Sequence, residues 1–324
     1  MTTKETVLFM LEKSRGVPLS GAKMAKRAGV SRTAIWKAIE ELRRDGYDIS
    51  AATREGYTLA ANSDVLSEPR LRSYVQTQGL TFTLYKSIES TNACAKQLAL
   101  SGAPEGAVVL SEMQTAGRGR GGKSFYSPAG TGLYMSILLR PEISAADALQ
   151  ITTCAAVAVA QAAEAAAKRP AQIKWVNDVY MSGKKICGIL TEGAFDLESG
   201  GLEYAVLGIG VNMTPPPDGF PPPLQKIAGA LFDKKPALDV RCRIAADILD
   251  RFFALYRANE KSARLAEYRR RSLLTGQNVL VLRGTDCFPA TALGIDDDFC
   301  LHVRYADGSE AHLSSGEVSI KPEI

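Results

Sequence analysis

A glycine-rich segment with three cations, residues 114–123, is the most distinctive feature of the sequence. Its ten residues include four glycines, two arginines and a lysine. Glycine lets backbone amides come close to a ligand, and guanidinium groups bind phosphate or carboxylate through paired hydrogen bonds. The segment lacks the Gly-Lys-Ser/Thr ending of a Walker loop and the dinucleotide fingerprint. Arg-Gly runs also occur in disordered nucleic-acid linkers, but the strand-like residues 133–137 nearby favour an ordered anion-binding loop.

A second group of polar residues spans positions 174–178 and is followed by residues 184–190. Lysines around an Asn-Asp pair suit a nucleoside triphosphate, because amines neutralise phosphate oxygens and Asp178 is able to hold magnesium. The alternative is a charged β-turn at residues 182–184, which is common on protein surfaces. Taken alone, these residues favour the turn.

The elements around both segments predict an α/β body. Strands are expected at residues 80–85 and 107–111, with a helix at residues 91–100 between them. Residues 145–168 are alanine-rich and predict a buried helix, and residues 204–211 are almost continuously apolar, as in a covered strand. Six prolines within residues 215–223 predict a loop.

The C-terminal segment has a different pattern. A helical stripe at residues 244–252 is followed by a helix at residues 262–274, which Gly276 ends. Alternating strands at residues 279–282, 301–305 and 318–320, with a turn at residues 307–308, then predict a small antiparallel β-barrel.

The N-terminal segment is the basic part of the chain. Residues 1–62 hold 11 lysines and arginines against 7 acidic residues, whereas the whole chain holds 39 against 35. Three short helices are expected, the second ended by Gly29 and the third capped by Ser31. A hairpin at residues 47–59 follows, so the segment predicts a winged helix-turn-helix.

This arrangement favours DNA binding, since it presents basic and polar groups at the start of one helix. The alternative is a small helical interaction domain with a solvated charged face. The residues expected to face DNA are Lys23, Arg32, Thr33, Trp36, Lys37 and Arg54.

Composition restricts the remaining possibilities. The longest apolar run, residues 154–160, is seven residues long, whereas a bilayer span needs about 20. The N-terminus lacks the pattern of a signal peptide, so a cytoplasmic protein with no membrane partner is expected. Six cysteines without a Cys-x-x-Cys pair, and only two histidines, predict reduced packing residues rather than a metal cluster.

Five motifs occur in the order seen in one family. They are residues 89–92, the glycine-rich segment, residues 174–178, residues 185–190 and residues 208–212. Together with the winged helix they resemble the bifunctional biotin protein ligases and biotin operon repressors of bacteria. The resemblance covers essentially the whole chain. It implies an α+β multidomain fold, with a winged helix-turn-helix at residues 1–66, an α/β mixed-sheet ligase domain at 67–275 and the β-barrel at 276–324.

The family activates biotin with ATP and Mg²⁺ to biotinyl-adenylate and passes biotin to a lysine of a biotin carboxyl carrier protein. The adenylate-bound homodimer represses biotin synthesis genes at operator DNA. The resemblance implies a catalytic role for Lys174, Lys185 and Arg120, and a metal role for Asp178. It implies biotin-binding residues Ser90, Thr91, Asn92, Gln114, Arg118, Gly119, Arg120, Lys185, Gly208 and Gly210. It implies ATP-binding residues Arg118, Arg120, Phe125, Lys174, Asn212 and Lys321.

Two positions depart from the family pattern. Val176 stands where a proline is common, which leaves that turn less rigid. Phe125 stands where the family commonly has tryptophan; it can cover an adenine ring but has no indole donor. Residues 117–126 are expected to order on ligand binding. Three alternatives stay open: a biotin-sensing regulator without catalysis, a ligase for another cofactor acid such as lipoate, and a ligase whose winged helix no longer binds DNA.

Overall fold

The structure is a computed structural model that describes residues 1–144, 148–195, 201–236, 239–258, 260–283 and 286–320. By contacts between its residues, the chain divides into two compact units. The first comprises residues 1–76 and 235–246, and the second comprises residues 77–234 and 247–324. The bounds of the three domains expected from the sequence stay a prediction.

The first unit is a helix-turn-helix with a hairpin, as predicted. Its elements are α1 Thr3–Lys13, α2 Gly21–Ala28, α3 Arg32–Arg44, β1 Ile49–Ala52, β2 Gly56–Leu59 and α4 Glu68–Tyr74. Local capping sets the helix ends: the Thr2 side chain accepts from the Glu5 amide, and Ser31 accepts from the Ala34 amide. Gly29 ends α2 with a φ of 67°, which glycine adopts without steric cost.

One apolar core holds α1, α2, α3 and the hairpin together. Val7, Leu11, Ile35, Ile39 and Leu59 are completely buried in it. They come from α1, α3 and β2, so the hydrophobic effect fixes one face of α3 inward. The other face of α3 is therefore left at the surface.

A polar cluster within the first unit surrounds Asp239. This carboxylate accepts hydrogen bonds from Arg70 and from the Tyr74 hydroxyl, the latter at 2.8 Å. Burial alone would raise the pKa of Asp239, but these partners outweigh it and hold the pKa below its usual range. Nearby, the Arg241 amide donates to Asp64 at 3.0 Å. Residues 239–241 are thus tied to the segment that follows the hairpin.

The second unit is built on a seven-stranded sheet in the order β3-β4-β5-β9-β8-β7-β6. The strands are β3 Thr81–Tyr85, β4 Ala107–Ser111, β5 Gly132–Leu139, β6 Ala171–Lys174, β7 Asp178–Met181, β8 Lys184–Phe195 and β9 Leu202–Asn212. Among the described strands of this sheet, the β3–β4 pair is parallel and the other pairs are antiparallel. The long antiparallel pairs β5–β9 and β8–β9 place residues far apart in sequence side by side.

Helices α5 Thr91–Leu100 and α6 Leu149–Ala167 pack against this sheet. The remaining helices are the short α7 Pro222–Gln225, α8 Val240–Arg257 and α9 Lys261–Arg270. Among the described helices, α6 is the one long and apolar enough by composition to span a membrane, but 67% of its apolar window is buried inside the protein. A core helix has the same properties. Residues 145–147 of the expected helix lie outside the described residues.

The C-terminal part of the second unit is a five-stranded antiparallel sheet in the order β13-β12-β11-β10-β14. Its strands are β10 Asn278–Arg283, β11 Asp286–Ile295, β12 Leu301–Tyr305, β13 Glu310–Leu313 and β14 Glu317–Ile320. The sequence predicted a small antiparallel β-barrel in this segment, and the structure has a five-stranded antiparallel sheet there. The six cysteines are free thiols, and burial raises the pKa of Cys154 to about 12, which makes this thiol unreactive.

Candidate functional site

A small cavity lies where the start of α5 and the glycine-rich segment meet β8 and β9. Its volume is about 50 Å³. Its lining consists of Ser90, Thr91, Asn92, Gln114, Arg118, Gly119, Arg120, Phe125, Met135, Asn177, Lys185, Gly188, Ile189, Leu190, Gly208, Ile209 and Gly210. The lining is apolar along the strands, polar at α5 and cationic at Arg118, Arg120 and Lys185.

Two glycines of β9 keep the floor of the cavity open. A Cβ atom on Gly208 would lie 2.1 Å from Asn92 Oδ1, and one on Gly210 would lie 2.6 Å from the Phe125 ring. Any larger residue at either position would displace these side chains. The glycines therefore let polar and aromatic groups reach the strand surface.

The polar end of the cavity is formed by the first residues of α5. Ser90 caps this helix, since its hydroxyl accepts from the Ala93 amide at 3.4 Å. Thr91 and Asn92 are buried directly after it. The Thr91 amide donates to Gln114 Oε1 at 2.9 Å, so α5 and the glycine-rich segment are joined at the cavity wall.

The glycine-rich segment folds back on itself beside the cavity. The Gly119 amide donates to the Lys123 carbonyl at 2.7 Å, and Arg120–Gly122 forms a single 3₁₀ turn. The Arg120 guanidinium donates to Asn177 Oδ1 at 3.1 Å. Phe125 then packs over the strand glycines, which leaves room in the cavity for about two water molecules.

The cationic end is organised by an ion pair. Lys185 Nζ lies 2.6 Å from Asp178 Oδ1. Apart from that contact, this buried carboxylate oxygen has no hydrogen-bond partner among the residues that the structure describes. Within the described ranges no group of three His, Cys, Asp or Glu side chains forms a metal cluster. Magnesium usually takes one or two carboxylates together with phosphates and waters, so a single aspartate fits that ion.

Hydrogen bonds with residues in the C-terminal part of the second unit hold the turn that carries Asn177 and Asp178 in place. The Trp175 indole donates to the Phe299 carbonyl at 2.9 Å, and the Tyr268 hydroxyl donates to the Val176 carbonyl at 3.1 Å. Burial raises the pKa of Tyr268, so its hydroxyl stays protonated and able to donate. These buried bonds fix the turn without the proline common in the family.

The cavity brings together all ten residues predicted to bind biotin, along with Phe125. Lys174, Asp178 and Asn212 lie outside its lining: Lys174 faces Asp178 across the β6–β7 hairpin, and the Asn212 amide donates to the Gly229 carbonyl at 2.9 Å. Lys321 lies outside the described residues. The roles of these four residues, like those of the residues that line the cavity, stay predictions.

Sequence reasoning assigned no role to six lining residues: Met135, Asn177, Gly188, Ile189, Leu190 and Ile209. It also missed Ser136 and Glu192, which contact Asn92. Asn177 was visible as part of the Asn-Asp pair, but nothing in the sequence showed that Arg120 would contact it. Ser136 and Glu192 carry no local signal. The strand register brings both side chains to Asn92. Ser136 Oγ lies 2.6 Å from Asn92 Oδ1, and Asn92 Nδ2 donates to Glu192 Oε2 at 2.7 Å.

The exposed face of α3 forms a separate candidate DNA interface in the first unit. Its central aromatic residue, Trp36, is 52% exposed. The six residues predicted to face DNA are all exposed: Lys23, Arg32, Thr33, Trp36, Lys37 and Arg54. Over the described part of the chain, none of the four cations among them forms an ion pair. They are free to meet phosphates or base edges.

Two known families match parts of the chain. The helix-turn-helix domain family matches residues 3–58, and the biotin/lipoate A/B protein ligase family matches residues 84–212. The fold and the site therefore define a protein ligase of the biotin/lipoate type that carries an N-terminal helix-turn-helix domain.

Comparisons with individual proteins show which family within this class the chain resembles. The bifunctional ligase/repressor BirA of Bacillus subtilis is 36% identical over 314 residues, 95% of each chain. The biotin--[acetyl-CoA-carboxylase] ligase of Mycobacterium tuberculosis is 35% identical, over 71% of this chain and 85% of that protein. The Aquifex aeolicus biotin protein ligase, solved with biotin and ATP, has a TM-score of 0.62 and 25% identity over 75% of this chain and 99% of its own. The chain belongs to the family of bifunctional biotin protein ligases and repressors.

Proposed function

We propose that the second unit activates biotin with ATP to biotinyl-5′-AMP and transfers biotin to one lysine of a biotin carboxyl carrier protein. The observation that carries this proposal is a single cavity with a polar end and a cationic end. Hydroxyl and amide groups match a ureido ring, and cations match a carboxylate next to a phosphate. The 36% identity to a bifunctional ligase/repressor over nearly the whole chain supports it.

The first step joins two negatively charged groups. A biotin carboxylate oxygen attacks the α-phosphorus of ATP, and the bond to pyrophosphate breaks. Lys185, Arg118 and Arg120 line the cavity and offset the repulsion between carboxylate and phosphate. When bound, Mg²⁺ would be held by Asp178 and would neutralise phosphate charge. Lys174, Asn212, Phe125 and Lys321 are proposed to contact ATP.

The second step moves the acyl group. The amine of the carrier lysine attacks the acyl carbon of the adenylate, and AMP leaves. Because the mixed anhydride is readily hydrolysed, it must be shielded from water between the two steps. We propose that residues 117–126 cover it and that Phe125 moves from the cavity to make room.

The first unit is proposed to bind operator DNA and repress biotin synthesis genes when the adenylate-bound chain forms a homodimer. A single reading helix per chain supports a symmetric pair on two half-sites. We also propose a cytoplasmic location with no membrane partner.

Incubation with biotin, ATP, Mg²⁺ and a biotin carrier domain tests the ligase proposal. We expect the carrier to gain the mass of one biotinyl group on one lysine. A carrier mass that stays unchanged, with no release of pyrophosphate, would instead favour a sensor without catalysis. Competition between biotin and lipoate for adenylate formation tests the choice of acid.

Changing Arg120 to glycine is expected to let the adenylate escape. Arg120 is the cation that links the glycine-rich segment to Asn177, so its loss removes both a charge and the anchor of that segment. We expect free biotinyl-adenylate to accumulate in solution during turnover, detected by chromatography after filtration. Retention as tight as in the unchanged protein would contradict this role.

Changing Trp175 to phenylalanine is expected to weaken ATP binding selectively. The ring is kept, but the buried Phe299 carbonyl loses its donor, at a cost of about 1–3 kcal/mol, and the turn with Asn177 and Asp178 loosens. We expect KM for ATP to rise about tenfold. Biotin affinity should change much less. Trp36→Phe, at the other tryptophan of the chain, is the control and should leave both values unchanged.

A further inference from the structure

The turn between β11 and β12, residues 296–300, contacts the segment that leads into β7. Phe299 of this turn is buried, and its carbonyl accepts the Trp175 indole N–H at 2.9 Å. The Phe299 ring also packs edge-on against the Tyr268 ring, with 5.8 Å between the ring centroids. The Tyr268 hydroxyl donates to the Val176 carbonyl at 3.1 Å. Phe299 therefore holds the residues before β7 in two ways, directly and through Tyr268.

The backbone of Phe299 has a conformation that its surroundings must hold. Its φ is 62°, in the left-handed region that a phenylalanine rarely adopts. Two backbone hydrogen bonds close the turn. The Asp296 amide donates to the Cys300 carbonyl at 3.0 Å, and the Phe299 amide donates to the Asp296 carbonyl at 3.3 Å. The second of these bonds is long, so further contacts are needed to keep Phe299 in this region.

The Asp296 side chain supplies such contacts. Its Oδ1 accepts from the amides of Asp298 and Cys300, each at 2.9 Å. Its Oδ2 lies 2.6 Å from Nδ1 of His312 on β13, and because a carboxylate only accepts, the imidazole donates. Burial alone would raise the pKa of Asp296, but the hydrogen bonds from His312 and the two amides outweigh it and hold the pKa below its usual range. The ionised carboxylate therefore joins the turn to β13.

The same turn borders the glycine-rich segment. Asp298 and Cys300 line a second cavity of about 810 Å³ together with Arg120, which donates to Asn177. Asp296 does not line either of the two cavities. Any effect of this carboxylate on a ligand must therefore pass through the residues of the turn that it holds.

We propose that Asp296 and His312 are positioning residues for the segment that binds ATP and Mg²⁺. Asp296, oriented by His312, keeps Phe299 in the conformation that aims its carbonyl at the Trp175 indole. Trp175 in turn fixes the start of β7, where Asp178 lies. The inference rests on the proposed function, since that function places ATP beside these residues. It gives the C-terminal sheet a part in nucleotide binding.

Replacement of Asp296 by alanine tests this inference. The Phe299 carbonyl then loses its fixed position, and we expect KM for ATP to rise about fivefold to tenfold, roughly the value of one hydrogen bond. Both kcat and Kd for biotin should change much less. The fluorescence of Trp175 should shift to longer wavelength, because its buried indole loses its partner. Trp36, the other tryptophan, lies in the first unit and contributes equally to both proteins.

Two further variants separate this role from a general loss of stability. Asp296→Asn should stay close to the unchanged protein, because its amide oxygen still accepts from both backbone amides. Asp307→Ala is the matched control. Asp307 holds the turn at the opposite end of β12, where its Oδ1 accepts from the Ser309 amide at 2.9 Å. Its replacement should leave KM for ATP and the tryptophan emission unchanged.

A double-mutant cycle with Trp175→Phe tests the route. If Asp296 acts through the Trp175 hydrogen bond, Asp296→Ala should raise KM for ATP less than about twofold once that bond is already lost. An increase by the same factor in both backgrounds, or an unchanged KM in Asp296→Ala, would overturn the inference.

His312→Phe provides a milder change should Asp296→Ala not fold. The new ring keeps the place of the imidazole beside His302, 4.3 Å away between ring centroids, but has no donor for Asp296. We expect KM for ATP to rise about twofold to threefold, and an unchanged KM would count equally against the inference. Failure of the unchanged protein to release pyrophosphate from ATP and biotin would overturn the proposed function instead. The emission of Trp175 would then still show whether Asp296 positions this segment.

Discussion

Replacement of Lys185 by alanine is expected to slow biotinyl-adenylate formation by about a hundredfold to a thousandfold. Among the described residues that line the cavity, Lys185 is the one lysine, and its ammonium lies 2.6 Å from Asp178. In the proposed reaction, this ammonium lies beside the place where carboxylate and α-phosphate meet. The variant lacks this ammonium, so the negative charge that develops in the transition state is no longer stabilised by it. Pyrophosphate release with saturating biotin, ATP and Mg²⁺ measures the effect.

Lys184 provides a matched control for this prediction. It is the preceding residue and carries the same charge, but its ammonium donates to the Gln225 and Lys226 carbonyls and does not line the cavity. Lys184→Ala should keep a rate close to that of the unchanged protein. Biotin affinity in Lys185→Ala should fall much less than the rate, because the polar end of the cavity is intact. Equal rates for the two variants would show that Lys185 takes no part in adenylate formation.

Local signals in the sequence were sufficient to predict several elements. The helix that presents Thr91 and Asn92 has the bounds expected, because Ser90 caps it through a contact only three residues away. Strand β4 also has its expected bounds, since its residues are all apolar or small and all buried. Helix starts, turn glycines and buried strands depend on neighbours in the chain, so a single sequence reveals them.

The rest of the site depends on pairing between distant strands. Residues 182–184 suggested a surface turn, and a turn does join β7 to β8 there, but the sequence did not show that β8 continues to Phe195 and pairs with β9 from Cys187 onward. Ser136 looked like any residue of a strand, yet the register sets it opposite Gly208, beside Asn92. No local pattern encodes such a register.

The turn at Val176 shows the same limit. Its rigidity was expected to depend on a local proline, but a contact with Phe299, more than a hundred positions further on, holds Trp175 instead. Long-range buried hydrogen bonds therefore replaced a local constraint that the sequence lacks.

The second large effect is expected on the affinity for operator DNA. Changing Arg32 and Lys37 together to alanine should weaken binding to operator DNA about a hundredfold or more, since each contact to a base or phosphate contributes about 1–3 kcal/mol. Both side chains are exposed on α3, whose inner face is held by Ile35 and Ile39, so the fold of the unit should not change. A gel-shift titration of the full chain measures it, with DNA from upstream of the biotin synthesis genes and with biotin and ATP present.

Lys4 and Lys13, both on α1, supply the matched control because their replacement by alanine removes the same charge from the same unit. Lys4 forms a surface ion pair with Asp45, and Lys13 lies over the Phe9 ring, and such exposed contacts contribute little to stability. If α3 reads the DNA, the control pair should lose only the general electrostatic attraction. The Arg32 and Lys37 pair should in addition lower the slope of affinity against salt concentration, because fewer phosphate counterions are released. Equal losses for the two pairs would show that net charge, and not the face of α3, holds the DNA.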